Sequence, residues 1–232
     1  IGVDPPDAPR VQPCARLESW VDPSAFGAPQ EALDEIGDAL HHAYEVLRPR
    51  ARYKMSLDPT LEDVRDLAKL VRRLARENRA LFHYNGHGVP APTPEGELWV
   101  FNPSYTQYVP LRFRDLLATL SLPAVLVLDC ANAGALLPSA QSFAEEALRY
   151  AASGAEEEDE EGRREGRGAE GRGGEGRGEG RGGEGRGVWE GKKEVLRREE
   201  SNPPLVVLCA CSAGESLPTN PDLPADLFTA CL

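Results

Sequence analysis

Between residues 59 and 130 the hydrophobic period of the chain changes from helical to extended and back, and that alternation leaves few folds open. Leu61, Val64, Leu67, Ala68, Val71, Leu74 and Ala75 recur three and four residues apart, so a helix over 59–77 carries one apolar stripe. Asp58 reads as its N-cap, with Pro59 at the first helical position. Leu33, Ile36, Leu40, Ala43, Tyr44 and Leu47 predict an earlier helix within 30–47, and further helices are expected at Leu111–Leu120 and Ser139–Ala152. Between them lie short strand candidates: Arg10–Leu17, Arg52–Leu57, Ala80–Asn85, Ala124–Cys130 and Leu205–Cys211. "EGELWVF" at 95–101 reads as one arm of a surface hairpin. Strands alternating with helices predict an α/β fold, a mostly parallel sheet covered on both faces. The least polar runs, "AVLVL" and "LVVLCAC", are expected as its central strands.

Residues 151–200 differ in kind. This stretch is an imperfect Gly-Glu-Gly-Arg repeat holding 15 of the 23 glycines, with almost no apolar residue between Ala155 and Val188. Without apolar surface to bury, nothing there offsets the entropy of ordering a backbone, so a disordered low-complexity insertion is expected. It divides the chain into a first folded part, 1–150, and a continuation, 201–232. Ile1-Gly2-Val3 runs into "DPPD" as if a strand had already begun, and the apolar pattern of "DLPADLFTACL" is still running at the last residue. The expectation is a domain incomplete at both ends.

Charge and cysteine usage exclude several classes. The formal net charge is −12, from 26 basic and 38 acidic residues, which leaves no basic face for nucleic acid. Within 151–200 the 15 acidic residues outnumber the 11 basic ones, which argues against RNA binding by its Arg-Gly repeats. No apolar run approaches the roughly 20 residues of a membrane span, so direct insertion is not expected. The five cysteines, at 14, 130, 209, 211 and 231, are irregularly spaced. Cys209 and Cys211 form C-x-C without a second pair or a nearby histidine, so neither zinc nor another cofactor is expected. These features fit a reduced intracellular protein with buried thiols.

In a parallel sheet, ligands and catalytic groups gather where strands end and crossover loops begin. "HYNGHG" at 83–88 puts His87 just past one such end, and "VLVLDCANAG" at 125–134 puts Cys130 at another. A thiol nucleophile needs a base, and imidazole is the usual one, so His87 and Cys130 form a candidate dyad. Gly86 and Gly88 would free the backbone around His87, and Gly134 the loop after Cys130. Asn85, Trp99, Phe101, Tyr105, Tyr108 and Phe113 are the residues near His87 that could form a protein-contact face.

"HYNGHGVPAPTPEGELWVFNPSYTQYVPL", then "DCANAG", then "PDLPADLF" closely resemble the N-terminal caspase-like domain of the Raptor family, scaffold subunits of the rapamycin-sensitive TOR kinase complex. "VQPCARLESWVDP" and "RARYKMSLDPT" resemble its earlier segments, so the likeness covers 1–150 and about 201–232. It implies a caspase-type three-layer sandwich and places 151–200 where caspases link their large and small subunits. It also sharpens the dyad. Metacaspases carry "DCCHSG" here, with the second cysteine as nucleophile. With Asp129 and Gly134 in register, that position holds Ala131, and Cys130 matches the non-nucleophilic cysteine. A one-residue offset turns a side chain to the other face, so Cys130 is expected to point into packing. A bulge at the strand end would re-aim it and leave the alternative, an active cysteine endopeptidase using His87 and Cys130. The resemblance otherwise implies a non-catalytic adaptor of TOR complex 1. Its partners would be the TOR kinase and substrates bearing a TOR-signalling motif, in the cytoplasm or recruited to lysosomal or vacuolar membranes. There is no glycine-rich phosphate loop or "HRD" run to suggest a kinase.

Overall fold

The computed structural model describes residues 17–150, 204–217 and 220–231. The expected strand at Arg10–Leu17 (save its last residue) and the expected insertion at 151–200 lie outside them. Two compact units divide the chain, Ile1–Gln141 with Leu205–Leu232, and Ser142–Pro204. Of the second, residues 142–150 and Pro204 are described; 142–150 are helical, with Arg149 Nη2 3.2 Å from Glu145 Oε2.

The first unit is built on a parallel sheet of β1 (Ala80–Asn85), β4 (Ala124–Asp129) and β5 (Leu205–Cys209), in the order β1-β4-β5. β1 and β4 pair from Ala80↔Ala124 to Asn85↔Asp129, and β4 and β5 from Ala124↔Leu205 to Leu128↔Cys209. β4 is the buried centre: Ala124, Leu126, Leu128 and Asp129 are fully enclosed. β5 was expected to be central too, but among the described residues it is an edge, and Leu208 is 41% exposed. An antiparallel hairpin, β2 (Glu97–Phe101) and β3 (Tyr108–Arg112), lies apart from this sheet. Its second arm takes the first two residues expected to be helical, because Leu111 and Arg112 pair with Leu98 and Glu97. The helix that follows is α3, Phe113–Leu120, whose Phe113, Leu116, Leu117 and Leu120 are buried.

α1 (Pro29–Leu47) and α2 (Leu61–Ala75) follow the predicted stripes, burying Ile36, Val64 and Ala68. α2 starts later than its sequence suggested. Thr60, not Asp58, is the N-cap, because a reciprocal capping box forms there. Asp63 N donates to Thr60 Oγ1 (3.2 Å) and Thr60 N donates to Asp63 Oδ2 (3.0 Å). The expected strand at Arg52–Leu57 does not form: residues 52–56 carry no regular secondary structure and join no strand pair among the described residues. Between them and β1 lies a cavity of about 790 Å³ lined by Ile36, Leu40, Leu57, Val71 and Leu81.

Arg72 on α2 clasps the turn from α3 into β4. Its guanidinium donates to the carbonyls of Leu120, Ser121 (3.1 Å), Pro123 (2.8 Å), Asn78 (3.1 Å) and Arg76 (2.9 Å). One rigid fork thus satisfies carbonyls that the end of α3 leaves open. Residues 137–150 form α4, and the four-residue α5 (Leu227–Ala230) returns to the sheet.

Candidate functional site

Paired residues in a parallel ladder share a face, and successive residues alternate. The register therefore sorts the ends of β1 and β4 into two sides. His83, Asn85, Val127 and Asp129 share one; Tyr84, Leu126, Leu128 and, one position past the strand, Cys130 share the other.

The first side is a buried polar network. His83 Nδ1 contacts Tyr44 Oη of α1 at 2.8 Å, and its Nε2 contacts Thr229 Oγ1 of α5 at 3.0 Å. Burial pulls the His83 pKa down to about 4, against the pull of Asp226, so the ring is neutral at physiological pH. Asp226 is fully buried and accepts from Asn85 Nδ2 (2.9 Å), Ser19 N (2.7 Å) and Ser19 Oγ (2.9 Å). Asp129 Oδ2 accepts from Thr229 N at 2.7 Å, while its Oδ1 has no hydrogen-bond partner among the described residues. Burial raises the Asp129 pKa; the bonds from Thr229 and the charge of His87 oppose the rise, and Asp226 adds to it. His87 lies just beyond. Its amide donates to Asn85 Oδ1 (3.4 Å), and its Nδ1 is 3.2 Å from Glu18 Oε1, off the line of a hydrogen bond.

The second side is apolar and tight. Cys130 is 1% exposed. Burial first, then the neighbouring Cys211, Asp129 and Cys209, push its thiol up to about 12. Tyr84 Oη donates to the Trp99 carbonyl at 2.8 Å, tying β1 to the hairpin. A Cβ at Gly86 would sit 2.3 Å from the Tyr84 ring and 2.8 Å from Cys130 Cβ. Gly86 is thus required by close packing, whereas Gly88 has the positive φ (83°). Gly134 is likewise a packing glycine, since a Cβ there would meet Ala213 N at 2.5 Å.

Ala131 is half-buried and opens a turn fixed by Asn132, which sits in the left-handed region (φ 58°). Asn132 donates through its amide to Glu215 O (2.7 Å) and through Nδ2 to Pro92 O (2.8 Å), and accepts from Gly214 N (2.7 Å). Of the contact-face candidates, Phe113 is core and Asn85 belongs to the polar network. Trp99 donates to the Ala91 carbonyl (3.0 Å), and Tyr108 reaches Gly88 O (3.4 Å). Phe101 stacks with Tyr108 and Tyr105 at centroid distances of 5.0 and 5.8 Å, and Tyr105 is 59% exposed. Sequence reasoning did not single out Tyr44, His83, Asp226 or Thr229. The one available signal was Asp226 directly before the apolar "LFTACL". Among the described residues no group of side chains has a metal-ligand arrangement, and no helix is long and apolar enough to cross a membrane.

Residues 1–140 match the family model described as the Raptor N-terminal CASPase like domain. The chain belongs to that family. The regulatory-associated protein of TOR 2 from Oryza sativa subsp. japonica is 40% identical over 232 residues, all of this chain and 14% of that protein. The target of rapamycin complex 1 subunit mip1 of Schizosaccharomyces pombe is 41% identical over 241 residues, again all of this chain and 15% of the relative. The crystal structure of Chaetomium thermophilum Raptor matches with a TM-score of 0.66 at 37% identity, covering 94% of this chain and 16% of that one. The fold is the caspase-like α/β fold of the Raptor N-terminal domain, and the chain spans about one-seventh of the length of these relatives.

Proposed function

We propose that this chain is a non-catalytic adaptor module of a TOR complex 1, helping to bring substrates with a TOR-signalling motif to the TOR kinase in nutrient-dependent growth control. It works in the cytoplasm and reaches lysosomal or vacuolar membranes only through partners. Its caspase-like module comprises 1–150 and 201–232, with the low-complexity segment 151–200 inserted between them in the sequence. Relatives named as TOR-associated or TOR complex 1 subunits support the assignment to that complex.

The burial of Cys130 carries the non-catalytic reading. Its thiol is enclosed on the Tyr84 side, while His87 turns to Glu18 and Asn85, and the following position is Ala131. A cysteine nucleophile acts as its thiolate. With burial pushing its pKa up to about 12, far above an ordinary thiol, the thiolate fraction at neutral pH falls about 1,000-fold. Iodoacetamide at pH 7.5, read peptide by peptide, should therefore alkylate Cys130 about 1,000-fold more slowly than a free thiol, and His87→Ala should leave that rate unchanged. Rapid alkylation of Cys130 that His87→Ala abolishes would make the protein a peptidase. Adaptor function is tested by capture of the TOR kinase on the folded full-length protein; no capture rejects it.

A further inference from the structure

The pairing of β4 with β5 has a consequence for sulfur chemistry. The ladder closes on Leu128↔Cys209, and just past that last pair the chain brings Cys211 beside Cys130. The strand ends stay joined beyond the last ladder pair: Ala210 N donates to Leu128 O (3.0 Å) and Gly134 N to Cys211 O (3.1 Å). The Cys211 thiol itself donates to the Cys130 carbonyl at 3.3 Å and to the Glu215 carbonyl at 3.5 Å. The two cysteines differ in access. Cys211 is half-buried and followed by the exposed residues 212–216, whereas Cys130 is closed off beneath Tyr84 and Gly86.

We propose that Cys211 and Cys130 are a reversible oxidation site for hydroperoxides, with Cys211 as the sulfur oxidised first and Cys130 as the resolving thiol. In the first step the Cys211 sulfur takes one oxygen from the peroxide O–O bond, giving a sulfenic acid and releasing water or an alcohol. In the second, the Cys130 sulfur displaces that oxygen as water, carrying its own proton, and the S–S bond forms. Two thiols are oxidised by two electrons and one peroxide is reduced. The bond covalently joins two loops that already interlock. Asn132, two residues past Cys130, bonds Glu215 and Gly214, and Gly134 packs directly on Ser212 and Ala213. Oxidation would fix the rim around Ala131 in this arrangement, and a dithiol reductant would release it. Cys209 is a built-in control, two residues back on the same strand and paired with Leu128.

The test is graded hydrogen peroxide treatment of the intact chain, followed by non-reducing peptide mass spectrometry with fragmentation to tell Cys209 from Cys211. A Cys130–Cys211 linkage that dithiothreitol reverses is expected. Cys209→Ser should retain it, Cys211→Ser should abolish it, and Cys130→Ala should leave Cys211 as a sulfenic acid trapped by dimedone. A linkage through Cys209, or peroxide-treated wild-type protein with Cys211 as thiol or sulfinic acid and no linkage to Cys130, overturns the proposal. Neither wild-type result depends on a variant folding.

Discussion

The two sides of the sheet at the ends of β1 and β4 are held together by different physics. On one side His83, Asn85, Asp129 and Asp226 are held by hydrogen bonds that run through Ser19, Tyr44 and Thr229, with Asp129 Oδ1 alone left without a partner among them. On the other, Tyr84, Gly86, Leu128 and Cys130 are fitted by shape, with no room for a methyl group at Gly86. A caspase-type site needs a thiol and an imidazole on one side of the sheet, with solvent between them. Here the residue on the polar side at the end of β4 is a carboxylate, and the thiol belongs to the packed side. The polar side therefore depends on charge and pH, and the packed side on volume.

Removing the hub of the polar side should have the largest effect on stability. Asp226→Ala takes the acceptor from Ser19 N, Ser19 Oγ and Asn85 Nδ2 at once and leaves three half-buried donors around the space of a fully buried carboxylate. The expected loss is about 3–5 kcal/mol, read as a fall in the urea midpoint. Asp226→Asn, which keeps one acceptor oxygen, should lose less. Equal losses in the two variants would mean that shape, not hydrogen bonding, holds this side too.

The polar side should also respond to acid through His83. Its folded pKa of about 4 lies below the ordinary 6.5, so the unfolded chain binds more protons between those values. Stability then rises with pH across that window, and falls by up to about 3 kcal/mol as pH drops from 6.5 towards 4. Asp129 contributes with the opposite sign. Its folded pKa is raised, so its buried charge penalises the fold above the usual carboxylate range and protonation relieves it. Urea midpoints at pH 7 and pH 5 should separate these effects. His83→Gln should flatten the acid-side loss, whereas Asp129→Asn should leave it in place. In the Asp129→Asn background, a midpoint that does not change between pH 7 and pH 5 would mean that His83 is not held neutral by burial.

What could be read from the sequence was local. The α2 stripe announces itself because its apolar residues lie within one helix, and β1, β4 and β5 because each is a compact apolar run. The cap of α2 went to Thr60 because a capping box depends on a reciprocal pair, Thr60 with Asp63, rather than on the nearest residue of capping type. Leu111 and Arg112 read as helix by period but pair as strand, because Leu98 and Glu97 supply a ladder that local periodicity does not record. The polar network lay beyond reach for the same reason: His83 meets Thr229 across 146 residues, and Asn85 meets Asp226 across 141. Strand ends marked where to look, but long-range pairing decides which side chains face one another there.

The packed side gives the smallest and most local prediction. Gly86→Ala places a methyl group 2.3 Å from the Tyr84 ring and 2.8 Å from Cys130 Cβ, closer than carbon atoms tolerate. The Tyr84 hydroxyl is held by the Trp99 carbonyl, so the ring cannot swing aside without losing that bond. The cost should be about 1–3 kcal/mol. Gly27→Ala, where nothing lies within 4 Å of the new methyl and φ is not positive, should be close to neutral. Tyr84→Leu supplies the decisive cycle, because it removes the ring that Gly86 accommodates. If shape is the constraint, Gly86→Ala should cost measurably less in the Tyr84→Leu background. If the two losses simply add, the Tyr84 ring is not what limits this position, and the contact with Cys130 Cβ sets the limit instead.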